Sequence, residues 1–124
     1  MTLHEMGLNE QYFTDIIQGK KIYELRIHDS KRRKIFLDDF IVFTKSKTNE
    51  QVKCKVVEII LDDSFKTILE YCKLENVMPS IKSIKNAVNI YETIPHNELH
   101  NQGVTTYKDA IRHFGVVAFK LEVV

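Results

Sequence analysis

Apolar positions fall at two spacings along the chain, and the spacing changes from segment to segment. Leu3-His4-Glu5-Met6 is a short strand candidate. Asn9 is a good N-cap, and Tyr12, Phe13, Ile16 and Ile17 then form one apolar stripe, which predicts a helix over Glu10–Gln18. Gly19 suits the left-handed residue that stops a helix. The period drops to two after it, so Lys20, Ile22, Glu24, Arg26 and His28 share one face of a strand, and Lys21, Tyr23, Leu25 and Ile27 share the other, the core face. His28 to Lys34 is a polar loop with one helical turn. Asp38-Asp39 turns the chain into a buried strand, Phe40–Phe43, and Lys45 to Glu50 is the loop of a hairpin. The longest strand spans Gln51–Leu61, with Val52, Cys54 and Val56 on one side.

Helical spacing returns for Phe65–Cys72, capped by Asp62 or Ser64, and for a helix opened by Pro79 and Ser80 that runs to about Tyr91. Pro95 ends it. His96 to Gly103 reads as a polar loop with surface histidines. Thr105 or Thr106 caps a last helix, Tyr107–His113, and Gly115 leads into a closing strand, Val116–Val123. The order of strand, helix, consecutive strands, helices and strand predicts one α+β domain over residues 1–124. Its strands form a mixed β-barrel of five to seven strands, with helices packed at the barrel ends.

Composition narrows the partners more than the fold. The chain has 124 residues, 44% hydrophobic and 28% charged, with a formal net charge of +1. So small a net charge excludes a nucleic-acid field over the whole surface, and any basic function is a local patch. The strongest one is Lys31-Arg32-Arg33-Lys34, which would face phosphates. Cys54 and Cys72 lack metal spacing and read as buried free thiols of a reducing compartment, here the cytoplasm. His96 and His100 are four apart with no third ligand near in sequence, so no metal is expected. No phosphate-cradling glycine loop or dinucleotide fingerprint appears, and no cofactor is implied. No apolar stretch reaches the roughly 20 residues a membrane helix needs.

The first charged strand carries the chemistry. Gly19-Lys20-Lys21-Ile22-Tyr23-Glu24-Leu25-Arg26 resembles the signature of ASCH domains (activating signal cointegrator homology), a branch of the PUA-like superfamily, read roughly as Gly-x-Lys-x-x-Glu-x-Arg. Asp29, Lys31 and Arg32, then Asp38 to Phe43, and Phe114-Gly115-Val116-Val117-Ala118-Phe119 resemble further family segments. The resemblance implies a β-barrel with a cleft beside the motif, and RNA-related roles. One bacterial branch of the family hydrolyses N4-acetylcytidine with a motif Lys, a Thr three residues on and a downstream Glu. Lys21 matches the first and Glu75 the third, but Glu24 stands at the Thr position, and a carboxylate cannot replace a hydroxyl nucleophile without changing the mechanism.

Three function classes follow, the last of them a regulatory or interaction domain with no nucleic-acid ligand, its cleft holding a metabolite or nothing. The first is a module binding short single-stranded RNA or a modified nucleoside, with Lys20, Lys21, Tyr23, Glu24 and Arg26 at the cleft and Lys31, Arg32 and Arg33 on phosphates. Tyr23 and Tyr107 are the aromatics allowed to stack on a base. The second is a small hydrolase, an amidohydrolase or ribonuclease, using Lys21 with Glu24 or Glu75. Lys21 precedes the regular strand and need not obey its alternation, so in the first two classes it is expected as an exposed ammonium at the cleft mouth, with Glu75 reaching it from a loop between two helices.

Overall fold

The computed structural model describes residues 1–124. In chain order the elements are β1 (Leu3–Leu8), α1 (Glu10–Ile17), β2 (Tyr23–Ile27), β3 (Phe40–Lys45), β4 (Gln51–Asp62), α2 (Phe65–Cys72), α3 (Ile84–Glu92), α4 (Tyr107–Phe114) and β5 (Val116–Val123). Short 3₁₀ turns lie at Arg32–Lys34, Leu74–Asn76 and His100–Gln102. The five strands form one curled, half-barrel sheet in the order β1-β3-β4-β5-β2. β1 runs parallel to β3, and the other neighbours are antiparallel. β1 and β2 are the two edges, with no backbone ladder between them.

Local chemistry sets the element ends. The Asn9 side chain accepts from the Tyr12 amide at 3.0 Å, and Ser64, Ser83 and Thr106 cap α2, α3 and α4 in the same way. α3 therefore starts at Ser83 and not at Ser80, because the Ser83 hydroxyl satisfies the Asn86 amide at 3.1 Å. Gly115 sits at φ +70°, where an added Cβ would lie 3.0 Å from the Asp62 carbonyl. Only glycine turns α4 into β5 there.

The sheet has two buried faces. On β5, Val117, Phe119 and Leu121 join Met6, Phe43 and Val56 against Phe13 and Ile16 of α1. Val116 and Ala118 point the other way and join Tyr23, Leu25 and Ile27 beneath α2, α3 and α4. Each such side chain, fully buried, contributes about 1.5–3 kcal/mol. The strand register puts Glu24 opposite Phe119 and Arg26 opposite Val117. Both therefore carry charge into the face that holds α1, at the open seam between the sheet edges. No helix is long and apolar enough to cross a membrane.

Candidate functional site

The motif is pinned before β2 begins. Gly19 ends α1 at φ +74°, and the Lys20 and Lys21 amides both donate to the Asp15 carbonyl, at 2.9 and 3.0 Å. The Ile22 amide donates to the Asn76 carbonyl at 2.8 Å. This backbone path turns the Lys21 side chain inward, where it is only 2% exposed and not the exposed ammonium expected at the cleft mouth. Its Nζ donates to the carbonyls of Tyr23 (2.7 Å) and Val77 (2.9 Å) and meets Glu24 Oε1 at 3.0 Å. Three acceptors match the three protons of an ammonium. Burial pulls the Lys21 pKa below its ordinary value and Glu24 pushes back. An ammonium there has an acceptor for each of its protons, an arrangement that offsets part of the cost of burying its charge.

Glu24 bridges two cations. Arg26 Nε donates to Oε2 at 2.8 Å, and Arg26 Nη2 meets the same oxygen at 2.8 Å. Burial raises the Glu24 pKa, but Lys21 and Arg26 outweigh it and hold the carboxyl below its ordinary value. Burial likewise lowers the Arg26 pKa and Glu24 outweighs it, leaving the guanidinium above its usual value. Arg26 Nη2 also donates to the Gly7 carbonyl at 2.9 Å. Gly7 lies on β1, so this side chain spans the seam that no backbone hydrogen bond closes.

Beside the triad lies a cleft of about 220 Å³, and Glu24 and Arg26 are among the residues that line it. Tyr12 of α1, Tyr91 of α3 and Tyr107 of α4 line it too, with Gly7 and Asn9. Phe65 holds two of these rings from behind, stacking on Tyr91 at 4.6 Å and on Tyr107 at 5.9 Å between centroids. The Lys21 ammonium sits 5.6 Å from the Tyr12 ring centre. None of the three phenol hydroxyls has a protein partner. Burial raises all three phenol pKa values, with Glu24 adding to the rise, so each stays a neutral donor. The volume is below the roughly 300 Å³ at which drug-sized pockets begin, which suits a flat, base-sized group. The lining offers such a group three tyrosines, a carboxylate and a guanidinium.

The structure brings Lys21, Glu24 and Arg26 into one network and leaves other sequence candidates apart. Glu75 is exposed and makes no polar side-chain contact; its neighbour Val77 reaches Lys21 through a carbonyl. Tyr23 faces the opposite core, where its hydroxyl donates to Glu58 at 3.2 Å and burial, then that hydrogen bond, push its pKa up to about 12. It cannot stack on a ligand in the cleft. Lys20 and Lys31 are exposed. Arg32 turns inward to Asp29 at 3.1 Å, and Arg33 donates to the Phe114 carbonyl at 3.1 Å. His96 is not on the surface: it is 6% exposed and bonded to Asp29 at 2.9 Å. Cys54 and Cys72 are free and buried, and burial pushes each thiol up to about 11. No group of three or more His, Cys, Asp or Glu side chains could hold a metal.

Sequence reasoning placed Tyr12 and Tyr91 in the core and so missed two cleft walls. The available signal was chemical: a stripe that only packs would serve as well with phenylalanine, and a tyrosine brings a hydroxyl that needs water or a partner.

A family model for the ASCH domain matches residues 6–124. The crystal structure of hypothetical protein PH0355 is 35% identical, with a TM-score of 0.78 and 100% of both chains covered. The solution structure of protein PF0455 from Pyrococcus furiosus is 31% identical, with a TM-score of 0.70, covering 99% of this chain and 98% of that one. The crystal structure of ASCH from Zymomonas mobilis shares the fold at 15% identity, with a TM-score of 0.55 over 98% of this chain and 67% of that one. No curated protein matches the chain.

Proposed function

From the premise that the chain belongs to the ASCH domain family, we propose that the cleft binds one base of a short single-stranded RNA, or a modified nucleoside, without chemical conversion. One observation carries this reading. A charged carboxylate–guanidinium pair lines a base-sized cleft together with three tyrosines whose hydroxyls are unpartnered. Aromatic faces accept any base by stacking, and Glu24 with Arg26 offers an acceptor and donors to a base edge. Lys21 holds Glu24 in place and does not touch the ligand. Lys20, Lys31 and Arg33, which are exposed, follow phosphates. The net charge of +1 fits a short strand better than a long duplex. The hydrolase reading finds less support, since the Lys21 Nζ is already held by three acceptors and Glu75 is exposed and makes no hydrogen bond or ion pair with it.

The test is a thermal-shift screen of ribonucleosides, modified nucleosides and short RNAs. A ligand at one hundred times its dissociation constant adds about 2.7 kcal/mol of stability. Tyr12→Ala, on the cleft wall and only partly buried, is expected to remove about 1–3 kcal/mol of binding. Unchanged affinity in that variant, or no stabilisation by any nucleoside or RNA, rejects the proposal.

A further inference from the structure

A second groove lies at the end of the strand that carries the motif. The His28 amide donates to the Gly115 carbonyl at 3.0 Å, which extends the β2–β5 pairing by one residue. His28 therefore follows Glu24 and Arg26 on the same face of β2, about 7 Å beyond Arg26. There a cavity of about 380 Å³ is lined by His28, Arg33, Asp62, Asp63, Arg112 and His113. Arg33 and Arg112 are exposed, and neither forms an ion pair with Asp62 or Asp63.

Two guanidiniums and two carboxylates lining one groove without pairing is an unusual arrangement. A bare anion would meet both carboxylates there, and a bare cation both guanidiniums. The complement is a group that carries an anion and hydroxyl donors side by side. Burial, and then Arg33, lower the His28 pKa, so this ring adds a neutral hydrogen-bonding group and not a third cation. A ribose-phosphate unit has the required pattern: the phosphate accepts from arginine, and the ribose 2′-hydroxyl donates to a carboxylate.

Building on the base-binding cleft proposed above, we infer that this groove is a second subsite for the sugar-phosphate of the same RNA strand. Arg33 and Arg112 neutralise the phosphate, and Asp62 or Asp63 accepts the 2′-hydroxyl. The cleft then reads the base, and the groove distinguishes RNA from DNA, because only the ribose carries the hydroxyl. Arg32, next in sequence to Arg33, takes no part, since it is committed to Asp29.

The experiment titrates the full chain, and its Arg112→Gln and Asp63→Asn variants, with single ribonucleosides, a mixed-sequence tetraribonucleotide and the matching tetradeoxyribonucleotide. Both positions are exposed, so folding is checked by melting and is expected to be intact. Arg112→Gln should weaken the tetraribonucleotide by roughly tenfold and lower its salt slope by about 0.7, leaving nucleoside affinity unchanged. Asp63→Asn, combined with Asp62→Asn, should narrow the preference for ribose over deoxyribose. If nucleosides bind but these changes leave the tetranucleotide's affinity, salt slope and sugar preference unaltered, the second subsite is wrong and the base-binding cleft stands. If neither nucleosides nor the tetranucleotide bind the unaltered chain, both readings fall.

Discussion

Two buried charge clusters on one stretch of chain share a composition and differ in what surrounds them. In the first, Glu24 lies between Lys21 and Arg26; in the second, Asp29 lies between Arg32 and His96. Each is a carboxylate held by two nitrogen groups. The first is saturated at Lys21, spans the sheet seam through Arg26, and borders the tyrosine cleft. The second is closed off by rings, with His96 edge-on to Tyr107 at 6.0 Å and tilted to Phe114 at 5.7 Å. It leaves Arg32 Nε and His96 Nδ1 buried without partners. Charge in this sequence turns inward in both places, so burial alone does not mark a site. What sets the proposed site apart is an open, base-sized space beside the first cluster.

The comparison can be broken most sharply at Lys21. Lys21→Met removes a cation from a buried carboxylate and orphans two carbonyls, and should destabilise the fold by about 3–5 kcal/mol in urea titration. A loss below about 1 kcal/mol would mean that the triad is not the closed network seen here. Asp29→Asn should cost less, about 2 kcal/mol, because Arg32 is close enough to the surface to find water, and nucleoside affinity should not change. An effect on that affinity would make the second cluster part of the site. The basic turn divides along the same line. Arg33→Ala should lower the salt slope of RNA binding by about 0.7, whereas Arg32→Ala should leave the slope unchanged and lower stability instead. The smallest effect concerns a second histidine–carboxylate pair, His4–Asp39 at 2.9 Å. Burial raises the Asp39 pKa, but hydrogen bonds from His4 and from the Phe36 and Thr2 amides outweigh it and lower the pKa from 3.8 to about 2. A lowered folded-state pKa gives stability that is present above pH 3.8 and lost as pH falls towards 2. Asp39→Asn should flatten that part of the acid-unfolding curve without touching the cleft.

How far the sequence leads follows from the range of each interaction. Local rules found α1 between Asn9 and Gly19 and the β3–β4 hairpin, and narrowed the caps of α2 and α4 to Asp62 or Ser64 and to Thr105 or Thr106. Alternation set Glu24 and Arg26 on one face, and their pairing followed from it. Lys21 precedes the strand, so alternation does not govern it; its burial depends on the Asp15 and Asn76 carbonyls, the second fifty-five positions away. His96 was hidden for a similar reason. Its amide bonds the Thr105 carbonyl at 2.9 Å beside a Pro95–Thr106 bridge, and this pulls a polar loop against Asp29. Tyr91 and Tyr107 meet only because α3 and α4 both pack on Phe65, which helical spacing within either helix does not reveal. Pro79 and Ser80 carry the local signs of a helix start, whereas the cap is Ser83, whose hydroxyl accepts from the Asn86 amide.

The chain has five tyrosines and no tryptophan, and three of the tyrosines wall the cleft. Tyr23 faces the opposite core and Tyr71 lies exposed on α2, so the set carries its own controls. Tyrosine-selective NMR during titration with a ribonucleoside or short RNA therefore tests the central claim directly. Ring signals of Tyr12, Tyr91 and Tyr107 should shift together and saturate, while those of Tyr23 and Tyr71 stay in place. Shifts confined to Tyr71 or Tyr23, or no shift in any ring at concentrations that saturate other probes, would contradict the assignment of the cleft as the site.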